Sequence, residues 1–206
     1  EAWKIGHYTR PVNTELLAKN DQTRTVAKQV IEYQEAGGHF QDQAIQAQLK
    51  AVNQASDYLN QWVYEETSSW LKQNKLIGLI GGDHSVPLGF IKALTEKHDR
   101  YGILQIDAHA DLRNAYEGFT YSHASIMYNV LQLSGISHLV QVGIRDFSRG
   151  EIERAKADQR VQWFTDWQLK EKAYHGYVWA EQCREIITSL PEKIYISFDV
   201  DGLSPQ

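Results

Sequence analysis

Three short apolar runs in this chain each end in a cluster of aspartate and histidine. Leu76 to Ile80 leads into Gly81-Gly82-Asp83-His84-Ser85, Gly102 to Ile106 into Asp107-Ala108-His109-Ala110-Asp111, and Ile194 to Phe198 into Asp199-Val200-Asp201-Gly202. Short apolar runs separated by amphipathic stretches read as buried strands of a parallel sheet with helices on both faces. Such sheets take their ligands at the carboxyl ends of the strands. The clusters therefore fall where a site belongs.

The rest of the chain fits that frame. His138–Val142 and Val161–Phe164 read as two further strands. Pro87–Glu96, His123–Leu133, Glu151–Ala157 and Val178–Leu190 read as helices, the last with Cys183, Ile186, Ile187 and Leu190 on or near one face. Before residue 76 the chain is polar. Thr14–Lys19 and Thr25–Glu35 look weakly helical, Gly37-Gly38 breaks the pattern, and a helix is expected from about Gln41 to Gln73 with Tyr58, Trp62 and Trp70 in its buried stripe. No repeat or linker interrupts the pattern, so residues 1–206 are expected to form a single domain: an α/β fold of three layers, α/β/α, around a central parallel sheet. The chain opens on Glu1 rather than methionine and stops at Gln206 just past a strand. A C-terminal part of the domain is therefore expected to be missing.

Composition narrows the function classes. The formal charge of −5 gives no electrostatic reason to expect nucleic acid or an anionic membrane as partner. No apolar run is long enough to span a bilayer. The single cysteine, Cys183, rules out an internal disulfide and reads as a small buried residue. A cytoplasmic protein is the expectation.

Carboxylates and imidazoles are ligands for divalent metals, and oxygen-rich mixed sets suit Mn²⁺. Asp107, His109 and Asp111 are two apart, as are Asp199 and Asp201, so an extended backbone can aim each set one way while Ala108 and Ala110 face the other. A lone Asp after a strand is usually a turn or helix cap. Three acidic clusters at one sheet edge are different, because they repel each other unless a cation is present. With His84 and His109 they suffice for two metals roughly 3.5–4 Å apart.

Taken in order, the three motifs resemble the signature motifs of the ureohydrolase family (arginase, agmatinase, formiminoglutamase), a likeness covering residues 76–206. The resemblance implies a binuclear manganese centre, two Mn²⁺ ions, and hydrolysis of a guanidino-type carbon by a metal-activated water. By motif, His84 and Asp111 would hold one metal, His109 and Asp201 the other, and Asp107 and Asp199 would bridge them. Asp111 would also hold the attacking water by hydrogen bond. Asp83 would be either outer support or a plain loop cap. His123, in Tyr121-Ser122-His123-Ala124-Ser125, matches a histidine thought to shuttle protons, a role suited to its pKa. A small cationic guanidino substrate and a homo-oligomer, trimer or hexamer, are implied as well.

Substrate is carried by few residues. Arginases usually place a short polar side chain two residues after the last Asp of the second motif, to read the α-carboxylate; here that residue is Arg113. The stretch through Tyr116-Glu117-Gly118 to Met127 looks more like agmatinases. Arginase, guanidinobutyrase and formiminoglutamase stay open as alternatives. Ser204 stands where the third motif commonly carries Asp. Two other classes compete. A deacetylase of this general fold normally uses one zinc and a His-His pair, and no His-His pair occurs here. A non-catalytic homologue would have no need of six ligands together with His123.

Overall fold

The computed structural model describes residues 6–203, so Ser204 lies outside the described residues. The chain divides into two compact units, one ending at Ser56 and the other beginning at Asp57.

In the first unit, helix α1 (Thr14–Glu35) starts where the Asn13 side chain accepts the amides of Glu15 and Leu16. The polar stretch does not divide it: the helix is continuous, and Thr23 and Thr25 turn their hydroxyls onto the carbonyls of Lys19 and Asp21. After the Gly37-Gly38 break, a 3-10 turn (Gln43–Ile45) leads into helix α2 (Gln46–Lys72), which runs on past Ser56 into the second unit.

The α2 stripe expected to be buried is corrected. Leu49, Val52, Val63, Thr67 and Leu71 are the buried residues, whereas Tyr58 is exposed and Trp62 and Trp70 are only partly covered. Trp62 lies one position from Val63, about 100° around the helix. The wide aromatics flank the stripe instead of forming it.

In the second unit, helix α3 (Leu88–Lys97) precedes β1 (Tyr101–Ile106). Then follow α4 (Ile126–Val130), β2 (Ile136–Val142), α5 (Arg149–Ala157), β3 (Val161–Phe164), α6 (Asp166–Tyr174), α7 (Trp179–Thr188) and β4 (Ile194–Phe198). The strands form one parallel sheet ordered β3-β2-β1-β4. On one face, Ile103 and Leu139 pack with Leu88 and Ile91 of α3 and with Ile126, Met127 and Val130 of α4. On the other, Leu104, Val140, Val142 and Phe164 pack with Leu169 of α6 and Ile186 of α7. The α/β layering expected from the sequence is present.

Four details differ. Leu76 to Ile80 is not a strand: Ile77 and Leu79 turn onto the cluster of Val63, Leu71, Phe90 and Ala93, while Leu76 and Ile80 are exposed. The run has the composition of a strand but pairs with none: among the described residues the sheet ends at β4, whose outer edge carries no ladder. His123–Leu133 is a 3-10 turn (His123–Ser125) followed by the five-residue α4, and then tight turns close on Asn129 and Val130. In α7, Ile186 is buried and Leu190 packs beside it as expected, but Gln182 is also buried, Cys183 is only partly covered and Ile187 is exposed. Helix α6 went unread in the sequence although Thr165 and Gln168 form its capping box.

Ile194, Ile196 and Phe198 of β4 are exposed on the α6–α7 side of the sheet. Among the described residues, no helix is long and apolar enough to cross a membrane.

Candidate metal centre

The carboxyl ends of β1 and β4 close around Asp107. Its amide donates to the Val142 carbonyl (3.1 Å), and the Asp199 amide donates to the Ile106 carbonyl (2.9 Å). Two glycines permit the approach. A Cβ on Gly202 would stand 2.8 Å from the Asp107 nitrogen, and Gly143, at φ +91°, passes with its own Cβ position 3.1 Å from the Asp107 carbonyl oxygen.

His84, carried on the loop after residue 80, reaches into the same place. Its Nδ1 lies 2.8 Å from Asp107 Oδ2, 2.9 Å from Asp111 Oδ2 and 3.7 Å from Asp199 Oδ2. Its Nε2 shares a hydrogen bond with Ser197 Oγ (2.7 Å). On the other side of Asp107, His109 Nδ1 is 3.0 Å from Asp201 Oδ2 and 3.6 Å from Asp107 Oδ1. Asp201 Oδ1 accepts the Ala108 amide (3.1 Å), and Asp107 Oδ1 accepts the His109 amide (2.7 Å).

Two ligand-ready groups result, His84–Asp107–Asp111 and Asp107–His109–Asp201, with the ligand atoms of each within 4.8 Å of one another. Asp107 belongs to both. Asp199 belongs to neither, although it reaches His84 and its Oδ1 accepts the Asp201 amide (3.1 Å). Ala108 and Ala110 are buried, Ala110 within the core cluster of Ile103, Leu112 and Ile126.

A cation fits this arrangement on its own chemistry. His84 Nδ1 is buried and has no hydrogen bond of acceptable geometry, even though two carboxylate oxygens crowd it. Burial alone would lower the His84 pKa, but Asp107 and Asp111 outweigh it and raise it to about 10. Burial raises the Asp111 carboxyl to about 6, with Asp107 pushing the same way and His84 pulling against it. Asp107 is also buried, yet His84, the His109 amide and Gln105 hold its pKa below the ordinary value. A proton on His84 is a weak substitute for the charge these carboxylates need.

The backbone at Asp111 is held in the left-handed region (φ 54°). Its carbonyl accepts the amides of Met127 and Tyr128, which locks the turn to the start of α4. His123 lies on the adjoining 3-10 turn, is exposed, and meets the Tyr116 ring edge-on at 6.4 Å. It is near enough to Asp111 to favour that residue's charged form. Asp83 is a loop cap: its Oδ1 accepts the Ser85 amide (2.9 Å) and hydroxyl.

Several participants went unread in the sequence. Asp146 Oδ2 stands 3.6 Å from His109 Nε2. Arg145 packs its guanidinium onto the turn that carries Asp201. Glu151 is buried, accepts the Leu112 amide (3.1 Å), and stands 3.4 Å from Arg113. Arg113 also lies over the Tyr116 ring, 4.6 Å from its centroid. Only Glu151 had a readable signal, the Ser148-x-x-Glu151 capping box.

A parallel sheet with carboxylates and imidazoles gathered at its carboxyl edge defines a class, the α/β proteins built to hold divalent cations there. Residues 17–206 match the family model described as Arginase family, and the chain belongs to that family. It is 34% identical over 143 residues to an N(1)-aminopropylagmatine ureohydrolase of Thermus thermophilus, covering 69% of this chain and 45% of that protein. It is 30% identical over 144 residues to an agmatinase of Bacillus cereus, covering 69% of this chain and 46% of that protein. The chain thus spans about half the length of the curated relatives it matches. Among solved structures, an arginase from Medicago truncatula superposes with a TM-score of 0.61 at 29% identity, covering 76% of this chain and 49% of the other. An agmatine ureohydrolase of Thermoplasma volcanium gives 0.58 at 27% identity, covering 73% and 48%.

Proposed function

We propose that this chain is the metal-binding part of a manganese-dependent ureohydrolase that cleaves a guanidino C–N bond and releases urea, with agmatine as substrate and putrescine as the other product. The observation that carries the reading is the position of Asp107, common to both ligand-ready groups. His84, Asp107 and Asp111 would hold one cation, and Asp107, His109 and Asp201 the other, with Asp199 as the second bridge. A pair of divalent cations supplies a water acidic enough to ionise near neutral pH.

The chain's own residues would do the rest. Asp111 accepts a hydrogen bond from the attacking water and fixes its direction. His123, on the exposed side, carries the proton to the departing amine. Arg113 argues against an arginase-type carboxylate reader at its position. Its charge is spent on buried Glu151 and its plane lies on Tyr116, so it is not free to grip a substrate carboxylate. A guanidino-amine substrate lacks that carboxylate.

The test is urea release by the full-length protein with Mn²⁺, from agmatine, N(1)-aminopropylagmatine, arginine and guanidinobutyrate in parallel, with ammonia release from formiminoglutamate as the control. Urea from agmatine alone supports the whole reading. Urea chiefly from another guanidine keeps the chemistry and removes the argument from Arg113. No product from any of them, with metal bound, contradicts the catalytic reading. A cytoplasmic trimer or hexamer completes the proposal, and sizing in solution checks the assembly.

A further inference from the structure

One register layer of the sheet carries a hydrogen-bonding side chain on every strand. Gln105 of β1 pairs with Gln141 of β2 and with Ser197 of β4, and Gln141 pairs with Trp163 of β3. Side chains of one layer share a face, here the face that α3 and α4 cover with apolar residues. Two glutamines with 0% exposure in such a place need a reason.

Their hydrogen bonds supply it. Trp163 Nε1 donates to Gln141 Oε1 (2.6 Å). Gln141 Nε2 donates to Gln105 Oε1 (2.5 Å) and to the Ala110 carbonyl (2.7 Å). Gln105 Nε2 donates to Asp107 Oδ2 (2.7 Å) and to the His109 carbonyl (3.3 Å). Every N–H of both amides is used. The direction of the chain is fixed at its ends, since an indole N–H can only donate and an ionised carboxylate can only accept. Neither amide can flip without setting donor against donor or acceptor against acceptor.

We propose that Trp163, Gln141 and Gln105 are positioning residues for Asp107: a one-way relay of hydrogen bonds across three strands that holds the shared carboxylate in the pose both cations need. The inference rests on the reading of Asp107 as a metal ligand. Trp163 is the remote end, touching none of the six candidate ligands, and its ring is otherwise packed against Phe147 at 5.1 Å. Trp163→Phe keeps an aromatic ring and removes the donor with part of the indole's bulk, so melting temperature reports the packing loss separately.

The experiment is Mn²⁺ titration of the full-length protein, followed by the EPR signal of free Mn²⁺, with melting temperature measured alongside. The variants are Trp163→Phe, Gln141→Leu and the double variant. Gln141→Leu weakens Mn²⁺ binding by about 10–100-fold, the usual effect of losing an outer partner of a ligand. Trp163→Phe weakens it by a smaller factor, and adds nothing in the Gln141→Leu background because its effect passes through Gln141. A purely structural role lowers melting temperature and leaves affinity unchanged in both single variants; that result overturns the inference, as does full additivity in the double variant. Should Gln141→Leu not fold, Trp163→Phe decides alone. The native protein offers a second reading: the Trp163 indole N–H resonance shifts on addition of diamagnetic Zn²⁺, and its failure to move overturns the relay. Failure of the wild type to bind Mn²⁺ at all is a separate result, and it removes the parent reading.

Discussion

Arg145 donates a hydrogen bond to the main-chain oxygen of Asp201, 56 residues downstream. The same guanidinium donates to the carbonyls of Gly143 (3.2 Å), Gly202 (3.4 Å) and Leu203 (3.3 Å). The Arg145 and Asp146 amides meanwhile bind the Ala108 carbonyl at 2.8 and 3.0 Å. The loop after β2 is therefore tied to both motifs that carry the second ligand-ready group, so Arg145→Ala should loosen Asp201 while sparing His84 and Asp111. The expected result is about 10–100-fold weaker binding of one Mn²⁺ out of two. Lysine should not restore it, since one ammonium cannot reproduce a planar fork spread over several carbonyls. Metal analysis across a range of free Mn²⁺ checks this.

The two groups share Asp107 and nothing else. Asp201→Ala should cost one metal, whereas Asp107→Ala should cost both. Equilibrium dialysis followed by elemental analysis distinguishes the two variants, and equal loss from each would contradict the shared-ligand geometry.

His123 stands outside both groups, on the exposed rim. His123→Asn should bind manganese like the wild type and turn over about 10²–10⁴-fold more slowly, the range for loss of a positioned proton carrier. Loss of both metals in that variant would show that the assigned role is wrong.

Glu151 is a buried carboxylate with three tasks: it accepts the Leu112 amide, it closes the α5 cap by accepting the Ser148 amide and hydroxyl (2.8 Å each), and it pairs with Arg113. Glu151→Ala should destabilise the protein by about 1–3 kcal/mol, the cost of leaving buried donors unsatisfied. It should also free Arg113. Thermal unfolding measures the first effect, and a gain in urea release from guanidinobutyrate relative to agmatine would reveal the second.

The clustering of His84, Asp107, His109, Asp111 and Asp201 was legible in the sequence because its chemistry is dense: carboxylates and histidines at three strand-like ends have few other uses. The alternation of Asp107, His109 and Asp111 with buried Ala108 and Ala110 was equally plain. Pairing was not legible. Leu76 to Ile80 has the composition of a strand, but a strand exists only beside another, and local sequence does not report a neighbour. The relay of Gln105, Gln141 and Trp163 was hidden for the same reason, since nothing in the chain order says that these residues share a register layer. Arg145 acts through carbonyls, which have no sequence signature. Trp62 and Trp70 illustrate a different failure, in which large apolar residues flank a stripe that smaller ones fill.

Asp107 stands in both candidate ligand groups, where it would join two metal positions. EPR of the full-length protein loaded with two equivalents of Mn²⁺ tests it most directly. The expected spectrum is that of an exchange-coupled manganese pair, replaced in Asp107→Ala by uncoupled or absent signals. Two independent mononuclear Mn²⁺ spectra in the wild type would contradict it.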